Sequence, residues 1–421
     1  MVNEKEPSQW FDKLLFPKLF QTFRVAIQPS KLIIAFLAVA VICIAGQIMD
    51  LIDTASSASQ GDPRVFSIIW QSSAERFHGT LYSLFALDIP GVVENIAQCF
   101  KTIGVVFKEH YVYCIIFLAI ILAVLSVAGG AICRIAALQF ARGEKPGLTE
   151  ALRFGVKKFT SFFAAPLAPA GIIIFIGFFI FLLGLVGNIP WAGKPIMVIF
   201  MVLALIAGGL IAVILIGAVA GFNLMFPAVA YDNADCFDAI SRAFSYIFAK
   251  PWRMGLYTVI AAVYGAICYM FVRLFAFLLL CVTYCSLQLG ILGNNSKLTE
   301  IWSDKPTFTH LIVQPDWETL NGLQSFGAFL VYIMLLAVVI LVVAFIVSFY
   351  FSANTVIYSL MRKAVDNTAL EDVYTPFDSA PLDFARDRQG RPADETKTEP
   401  TTIEESKPEE EQPESNSEAQ P

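Results

Sequence analysis

Charge is what this chain has least of. Lys, Arg, Asp and Glu make up 15% of its 421 residues, where a soluble domain carries about 25%. Hydrophobic residues reach 57% and the mean hydropathy is +0.66, so too few polar groups exist to cover a water-soluble globule. Histidine is almost missing. His78, His110 and His310 stand alone in the loops between apolar runs, whereas a metal site needs at least three converging ligands; they read as surface or interfacial residues. The eight cysteines include no CxxC pair, which supports neither a zinc site nor a disulfide framework. Cys43, Cys114, Cys133, Cys268, Cys281 and Cys285 fall in or beside apolar runs, where Cys acts as a small hydrophobe. No Walker A, GxSxG, HExxH or dinucleotide fingerprint is present. No cofactor and no enzyme class is implied. The net charge of −6 reflects acid gathered in the C-terminal segment, while the short loops of one side are basic. That pattern suggests no nucleic-acid partner.

Six long apolar runs dominate what is there, at about 32–52, 111–133, 164–187, 196–222, 256–288 and 325–358. Each exceeds the roughly 20 residues that cross a ~30 Å hydrocarbon core as a helix. Backbone polar groups must be satisfied internally in lipid, which leaves helices or closed barrels. The runs are continuous rather than alternating with period two, so a barrel is excluded. The expected fold is an all-α polytopic helical membrane protein, with about six transmembrane helices plus interfacial amphipathic helices. The stretch from Ile196 to Ala230 would be about 50 Å long as one helix and must tilt, kink or protrude. The first 31 residues are too long and too aromatic for a signal-peptide n-region, so the first span is expected to remain as an anchor.

Lys and Arg set the orientation. One side carries Lys13, Lys18, Arg24, Lys31, Arg134, Arg142, Lys145, Arg153, Lys157, Lys158, Arg242, Lys250, Arg253, Arg362 and Lys363, close to the span ends. The other has fewer, spread through longer loops. Both termini should be cytoplasmic. The expected layout is a cytoplasmic amphipathic helix over 1–31, a membrane domain over 32–361 with external loops 53–110 and 289–324, and an acidic disordered cytoplasmic tail over 362–421.

Three basic segments look alike. Ser8–Ala26, Thr149–Phe163 and Asp235–Ala249 each place Leu, Ile and Phe near helical spacing with Lys or Arg opposite. Thr149 and Asp235 suit the N-cap position. A proline follows each (Pro29, Pro166, Pro251) and would let the chain turn into the bilayer. Two readings stand: three units built of an interfacial helix and a hairpin, or basic helices that suit anionic head groups. In the loop 53–110, Gly91–Phe107 reads as a further helix, lying on the outer surface or extending the second span.

Small residues are the clearest pattern inside the spans. Gly217 and Gly221 form a GxxxG pair, Gly208 with Ala204 and Ala212 extends it upstream, and Ser126 and Gly130 repeat the spacing in the second span. Such residues let helix backbones approach closely. Packing within the bundle is expected, with a homo-oligomer through this face as the alternative. Arg273 is the one charge well inside a span. Charge there defaults to a functional candidate, but a relay needs an acid, and only Asp50 lies near. Snorkelling, or pairing with backbone carbonyls, competes with a cation site. Asn223, followed by Pro227, marks either a broken helix of the kind that lines transport sites, or a kink or a packing hydrogen bond, which explain it more simply. Asp232, Asp235 and Asp238 resemble a cation ligand set, and helix capping explains them more simply.

Phe226-Pro227-Ala228-Val229-Ala230, then Asp238-Ala239-Ile240-Ser241-Arg242-Ala243-Phe244, together with Arg134–Phe154 and Ile357-Tyr358-Ser359-Leu360-Met361-Arg362, resemble a bacterial group of six-span proteins. That group includes the membrane domain joined to some glycerophosphodiester phosphodiesterases. The resemblance covers roughly 110–375, is topological, and implies an inner-membrane location; the phosphodiesterase barrel is absent. The leading functional expectation is a non-catalytic scaffold or envelope-homeostasis factor whose amphipathic helices bind anionic lipid and whose tail recruits a basic partner. The rival is a transporter or lipid-handling protein built around Arg273 and Asn223.

Overall fold

The computed structural model describes residues 16–56, 64–191, 193–290, 302, 305–308, 310–312 and 322–374. Among these residues there are eleven α-helices, one 3-10 turn and no strand. The 3-10 turn Phe16–Gln21 leads into α1 (Thr22–Ala26). Then follow α2 (Pro29–Ser56), α3 (Val65–Phe85), α4 (Ile89–Glu109), α5 (Tyr111–Arg142) and α6 (Leu148–Lys157). The chain continues with α7 (Phe159–Val186), α8 (Gly193–Asp232), α9 (Cys236–Ala249), α10 (Pro251–Gly290) and α11 (Gly322–Asp366). Six of these, α2, α5, α7, α8, α10 and α11, are long and apolar enough to cross a membrane. The fold is all-α and polytopic.

The helices outrun the apolar runs that announced them. α8 and α10 have 40 residues each and α11 has 45, so each is about 60 Å long or more at ~1.5 Å per residue, twice the hydrocarbon thickness. The extra length at one end is where the chain packs most tightly. Every residue from Ala128 to Leu138 of α5, from Leu224 to Tyr231 of α8 and from Phe351 to Met361 of α11 is buried. This end, the hub, is closed by the short amphipathic helices. α6 runs back along α5: Gly155 sits where a Cβ would lie 2.4 Å from the Val127 carbonyl oxygen, far inside the end of α5. α9 folds back along α8 in the same way. Buried Ser348 donates to the Ala26 carbonyl at 2.7 Å, pinning α1 to α11. By contrast, the α7–α8 hairpin leans out; in the most apolar stretch of α8 no residue is buried.

Two of the three expected proline turns are present. Pro29 and Pro251 open α2 and α10, where the missing N–H is one the helix start leaves unbonded anyway. Pro166 instead lies inside α7, with Pro169. The chain has already turned at Lys158 (φ −102°, ψ 18°), whose ammonium group is held by the Asn233 carbonyl at 2.9 Å. The three segments also differ in build: a 3-10 turn plus five helical residues, ten residues, and fourteen. The part of the first before Phe16 lies outside the described residues. Gly147, rather than Thr149, is the N-cap of α6. Asp235 does cap α9 by position, but no side-chain cap bond forms and its carboxylate faces Lys158 at 3.5 Å.

The loop 53–110 contains two helices where one was expected. α3 and α4 form an antiparallel hairpin turned by Leu87, which takes a positive φ of 56°. Asp88 caps α4, accepting from the Gly91 N–H at 3.1 Å. At the other end of α3, Asp50 of α2 accepts from the Phe66 N–H and the Tyr113 hydroxyl, both at 2.9 Å, so a carboxylate on a span caps a neighbouring helix. The compact unit runs to Tyr374, past the boundary expected at 361. The reason is α11 itself, which is helical to Asp366 and is followed by a short bonded strap. The second unit, Thr375–Pro421, lies outside the described residues, as does the expectation of a disordered tail that falls on it.

Candidate functional site

Two polar constellations stand out, one at each end of the bundle. At the hub, Asp232 ends α8 with its side chain 8% exposed. It meets Arg242 of α9 at 3.1 Å and Arg362 of α11 at 3.4 Å, and accepts a hydrogen bond from the Tyr358 hydroxyl. Beside it, the Tyr246 hydroxyl donates to Asp366 at 2.5 Å. Burial first, then that bond, holds the Tyr246 phenol above its ordinary pKa, so it remains a donor at neutral pH. Arg242 is pulled down by burial, yet the Asp232 carboxylate outweighs this and leaves its pKa raised. The Asp232, Asp235 and Asp238 trio is thus spent on ion pairs: Asp238 shares Arg242 with Asp232, at 3.2 Å, and Asp235 faces Lys158. Among the described residues no group of three His, Cys, Asp or Glu could hold a metal ion.

The same end carries a clasp. Arg134 donates to the carbonyls of Ala230 at 3.1 Å and Tyr374 at 2.8 Å. Arg142 donates to Glu371 at 3.2 Å and Val373 at 3.0 Å. Arg362 reaches Asp372 at 2.9 Å, the Tyr231 hydroxyl bonds the Leu370 carbonyl, and the Tyr374 N–H donates to the Tyr231 carbonyl at 3.1 Å. Thus the strap after α11 is fixed by side chains from three helices, with Leu370 and Val373 buried beneath it. Lys31 is fully buried and bonds the Val25 carbonyl at 2.6 Å and Gln139 at 2.8 Å. Lys250 bonds the Ala364 carbonyl. Cations are favoured at carbonyl-bearing helix ends, and here they join one helix to the next.

At the far end, Arg273 of α10 is 6% exposed. Its Nε and Nη2 donate to the Phe308 carbonyl at 3.1 and 2.8 Å, and Nη1 donates to the Tyr269 hydroxyl at 2.8 Å and to His78 Nε2. The guanidinium also lies 5.3 Å from the Phe308 ring centroid, in cation–π range. His78 comes from α3. Burial first, then Arg273 and His310, lowers its imidazole pKa to about 4. It is neutral at pH 7 and accepts through Nε2, which requires the Nδ1–H tautomer. The Tyr269 hydroxyl lies 3.2 Å from the same nitrogen. By sequence His78 is an isolated surface or interfacial residue; the fold brings it to Arg273 across 195 positions, a pairing that no local pattern encodes. Asp50, the acid suggested for Arg273, is engaged at the start of α3.

Asn223 is not at a break. α8 is continuous through Pro227, and the Asn223 side-chain oxygen accepts from the Tyr350 hydroxyl at 2.6 Å. Around them lies an apolar niche of about 70 Å³ lined by Leu122, Leu125, Phe222, Phe226 and Phe351, large enough for a few methyl groups. The small residues divide into two kinds. Gly217 and Gly221 receive Phe244 and Ile247 of α9, and Gly130 receives the Phe162 ring of α7. Gly129 and Gly265 receive Phe351 and Phe349 in the same manner. The glycines act as sockets for side chains, where the spacing suggested backbone against backbone. Ser126 is buried and bonds back to the Leu122 carbonyl at 2.6 Å. Gly208 has nothing within 4 Å of a Cβ position and lies on the outward stretch of α8.

Comparison with known proteins brings out no matching protein family, no similar curated protein and no similar solved structure.

Proposed function

We propose that this membrane protein is a non-catalytic scaffold of a bacterial cytoplasmic membrane, with the hub and both termini in the cytoplasm. Its task is to hold the C-terminal segment at the membrane surface for a basic partner. The carrying observation is the clasp: Arg134, Arg142 and Arg362 fix the chain up to Tyr374. The sequence beyond it is acid-rich and includes Glu404, Glu405, Glu409, Glu410, Glu411, Glu414 and Glu418. Anchoring a segment by its root is what a platform requires and what a free tail lacks. Lys145, Arg153, Lys157 and Lys363 are exposed at the same end and suit anionic head groups, each contributing about 1 kcal/mol near such a surface. The resemblance to the six-span bacterial group points to the same membrane.

The test compares a strain lacking the protein with one whose chain stops after Tyr374, by lipidomics and metabolite profiling. A scaffold predicts that the two share one broad envelope phenotype. Accumulation of a single lipid or solute in the deletion strain alone would overturn the reading. A second reading, a transporter or lipid-handling protein, draws on the buried Arg273–His78–Tyr269 cluster. Proteoliposomes that move a lipid or solute, and lose that activity with Arg273→Gln, would establish it instead.

A further inference from the structure

The α3–α4 hairpin is amphipathic in an unusual sense. Val93, Ile96, Phe100, Ile103 and Phe107 of α4 follow the i, i+3, i+4, i+7 spacing of one helix face, and all five are exposed, Val93 at 61% and Phe100 at 71%. The face turned onto α3 is the more polar one. Asn95 donates to Ser83 at 3.4 Å, and a Cβ on Gly79 would lie 2.6 Å from its side-chain oxygen. Val92, Cys99 and Thr102 are part-buried along the same side. α4 thus gives its mixed face to its own protein and leaves its apolar face to the surroundings.

We infer that α4 lies along the membrane interface at the far end of the bundle, with this apolar face among the acyl chains of that leaflet. Continuity with a membrane span identifies the occupant. α4 ends at Glu109 and α5 begins at Tyr111 after one bend at His110 (φ −126°, ψ 51°). Phe107 therefore adjoins the lipid-facing start of α5, where Tyr111, Val112 and Ile115 are 59%, 55% and 54% exposed. Lys101 and Lys108 flank the apolar face on one side, as cations do at a head-group boundary. α4 is not one of the six spanning candidates, so its place is in the interface rather than across it. The hairpin is held there through α3, whose His78 bonds Arg273. The inference holds whether the protein is a scaffold or a transporter.

Wild-type protein in phosphatidylethanolamine–phosphatidylglycerol vesicles, doped with a phospholipid carrying a diazirine on its acyl chain, provides the test. After photolysis, adducts mapped by mass spectrometry should fall on Val93, Ile96, Phe100, Ile103 and Phe107. Their yield should be several-fold above that on Glu94, Gln98 and Lys101. Labelling of α5 with α4 left unlabelled would refute the placement. In a second arm, Phe100 is replaced by p-azidophenylalanine, a close steric match at an exposed site. A lipid adduct supports the inference, whereas a cross-link to a second copy or to another protein overturns it.

Discussion

Gly155→Ala sets two opposed effects against each other. In an ordinary helix interior, alanine is more stable than glycine by about 0.5–1 kcal/mol. Gly155 lies in α6, where the new methyl carbon would stand 2.4 Å from the Val127 carbonyl oxygen of α5. A normal carbon–oxygen contact is near 3.3–3.6 Å, so α6 must withdraw by about 1 Å. The obstacle is backbone inside α5 and cannot rotate aside. Withdrawal also loosens Ala151, which is 1% exposed, and the Phe154 ring 4.9 Å beneath Arg134. Overpacking of this kind costs about 1–3 kcal/mol, which exceeds the propensity gain. The expected net effect is a loss of about 1–2 kcal/mol. Gly208→Ala is the control. Nothing lies within 4 Å of its Cβ position, so it should be neutral or stabilising by up to about 1 kcal/mol. Reversible unfolding in bicelles by steric trapping reads both. If Gly155→Ala proves as stable as Gly208→Ala, the close approach of α6 to α5 is not a structural constraint and the reasoning is wrong.

Three other outcomes follow from the same geometry. Asp232→Asn removes one of the two carboxylates that meet Arg362, whose side chain is 11% exposed; Asp372 stays paired with it at 2.9 Å, so the loss should be about 1–2 kcal/mol, below the ~3 kcal/mol of a buried pair broken outright. The Arg242 contact, 37% exposed, adds little; a double-mutant cycle with Arg362→Met that gives no coupling would contradict this. Arg134→Gln with Arg142→Gln should free the strap, so that limited proteolysis cuts near Leu370, where wild type resists; an unchanged digest would count against the clasp. His78 has a folded pKa of about 4, below the usual value near 6.5. The unfolded chain therefore binds the extra proton first, and the contribution of His78 is fully present above pH ~6.5 and falls away as pH drops toward 4. With Arg273, Tyr269 and His310 around it, protonation places a second cation beside the guanidinium. Protection factors for exchange in α3, taken relative to the intrinsic amide rate at each pH, should fall across that range in wild type and stay flat in His78→Gln.

The sequence is most informative where structure depends on neighbours in the chain. All six spans are recoverable from hydropathy because lipid exposure acts on each residue separately. α4 is recoverable from Gly91–Phe107 because its apolar face is periodic. α3 is not: Val65–Phe85 mixes Trp70, Phe77 and Phe85 with Gln71, Glu75 and Arg76, since it faces α10 and α4 on different sides. Arg273 is visible as a charge in an apolar run, but His78 and Phe308 are not visible as its partners. Their joining depends on how α3 and Phe308 come against α10. Gly217, Gly221 and Gly130 are correctly marked as packing positions, while Phe244, Ile247 and Phe162, which fill them, come from helices whose placement spacing does not encode.

The basic residues carry the largest revision. By composition, Lys31, Arg134, Arg142, Lys158, Arg242, Lys250 and Arg362 all count as cations near span ends, and the natural reading is attraction to anionic lipid. In the fold each is engaged by the protein, on a carbonyl near a helix end, on a carbonyl of the strap after α11 or on an aspartate, although Arg142 itself stays exposed. The two roles are compatible, because a cation near the membrane surface during insertion sets orientation before the bundle closes, and the same group then joins helices once it has. Structural cations and lipid-facing cations should therefore respond differently to neutralisation. Removing Arg153 or Lys157, both exposed, should weaken binding to anionic vesicles without altering unfolding. Removing Arg134 or Lys31 should lower stability and leave vesicle charge dependence unchanged. If Arg134→Gln instead shifts lipid dependence alone, the arginine faces head groups and the hub is not held together as described.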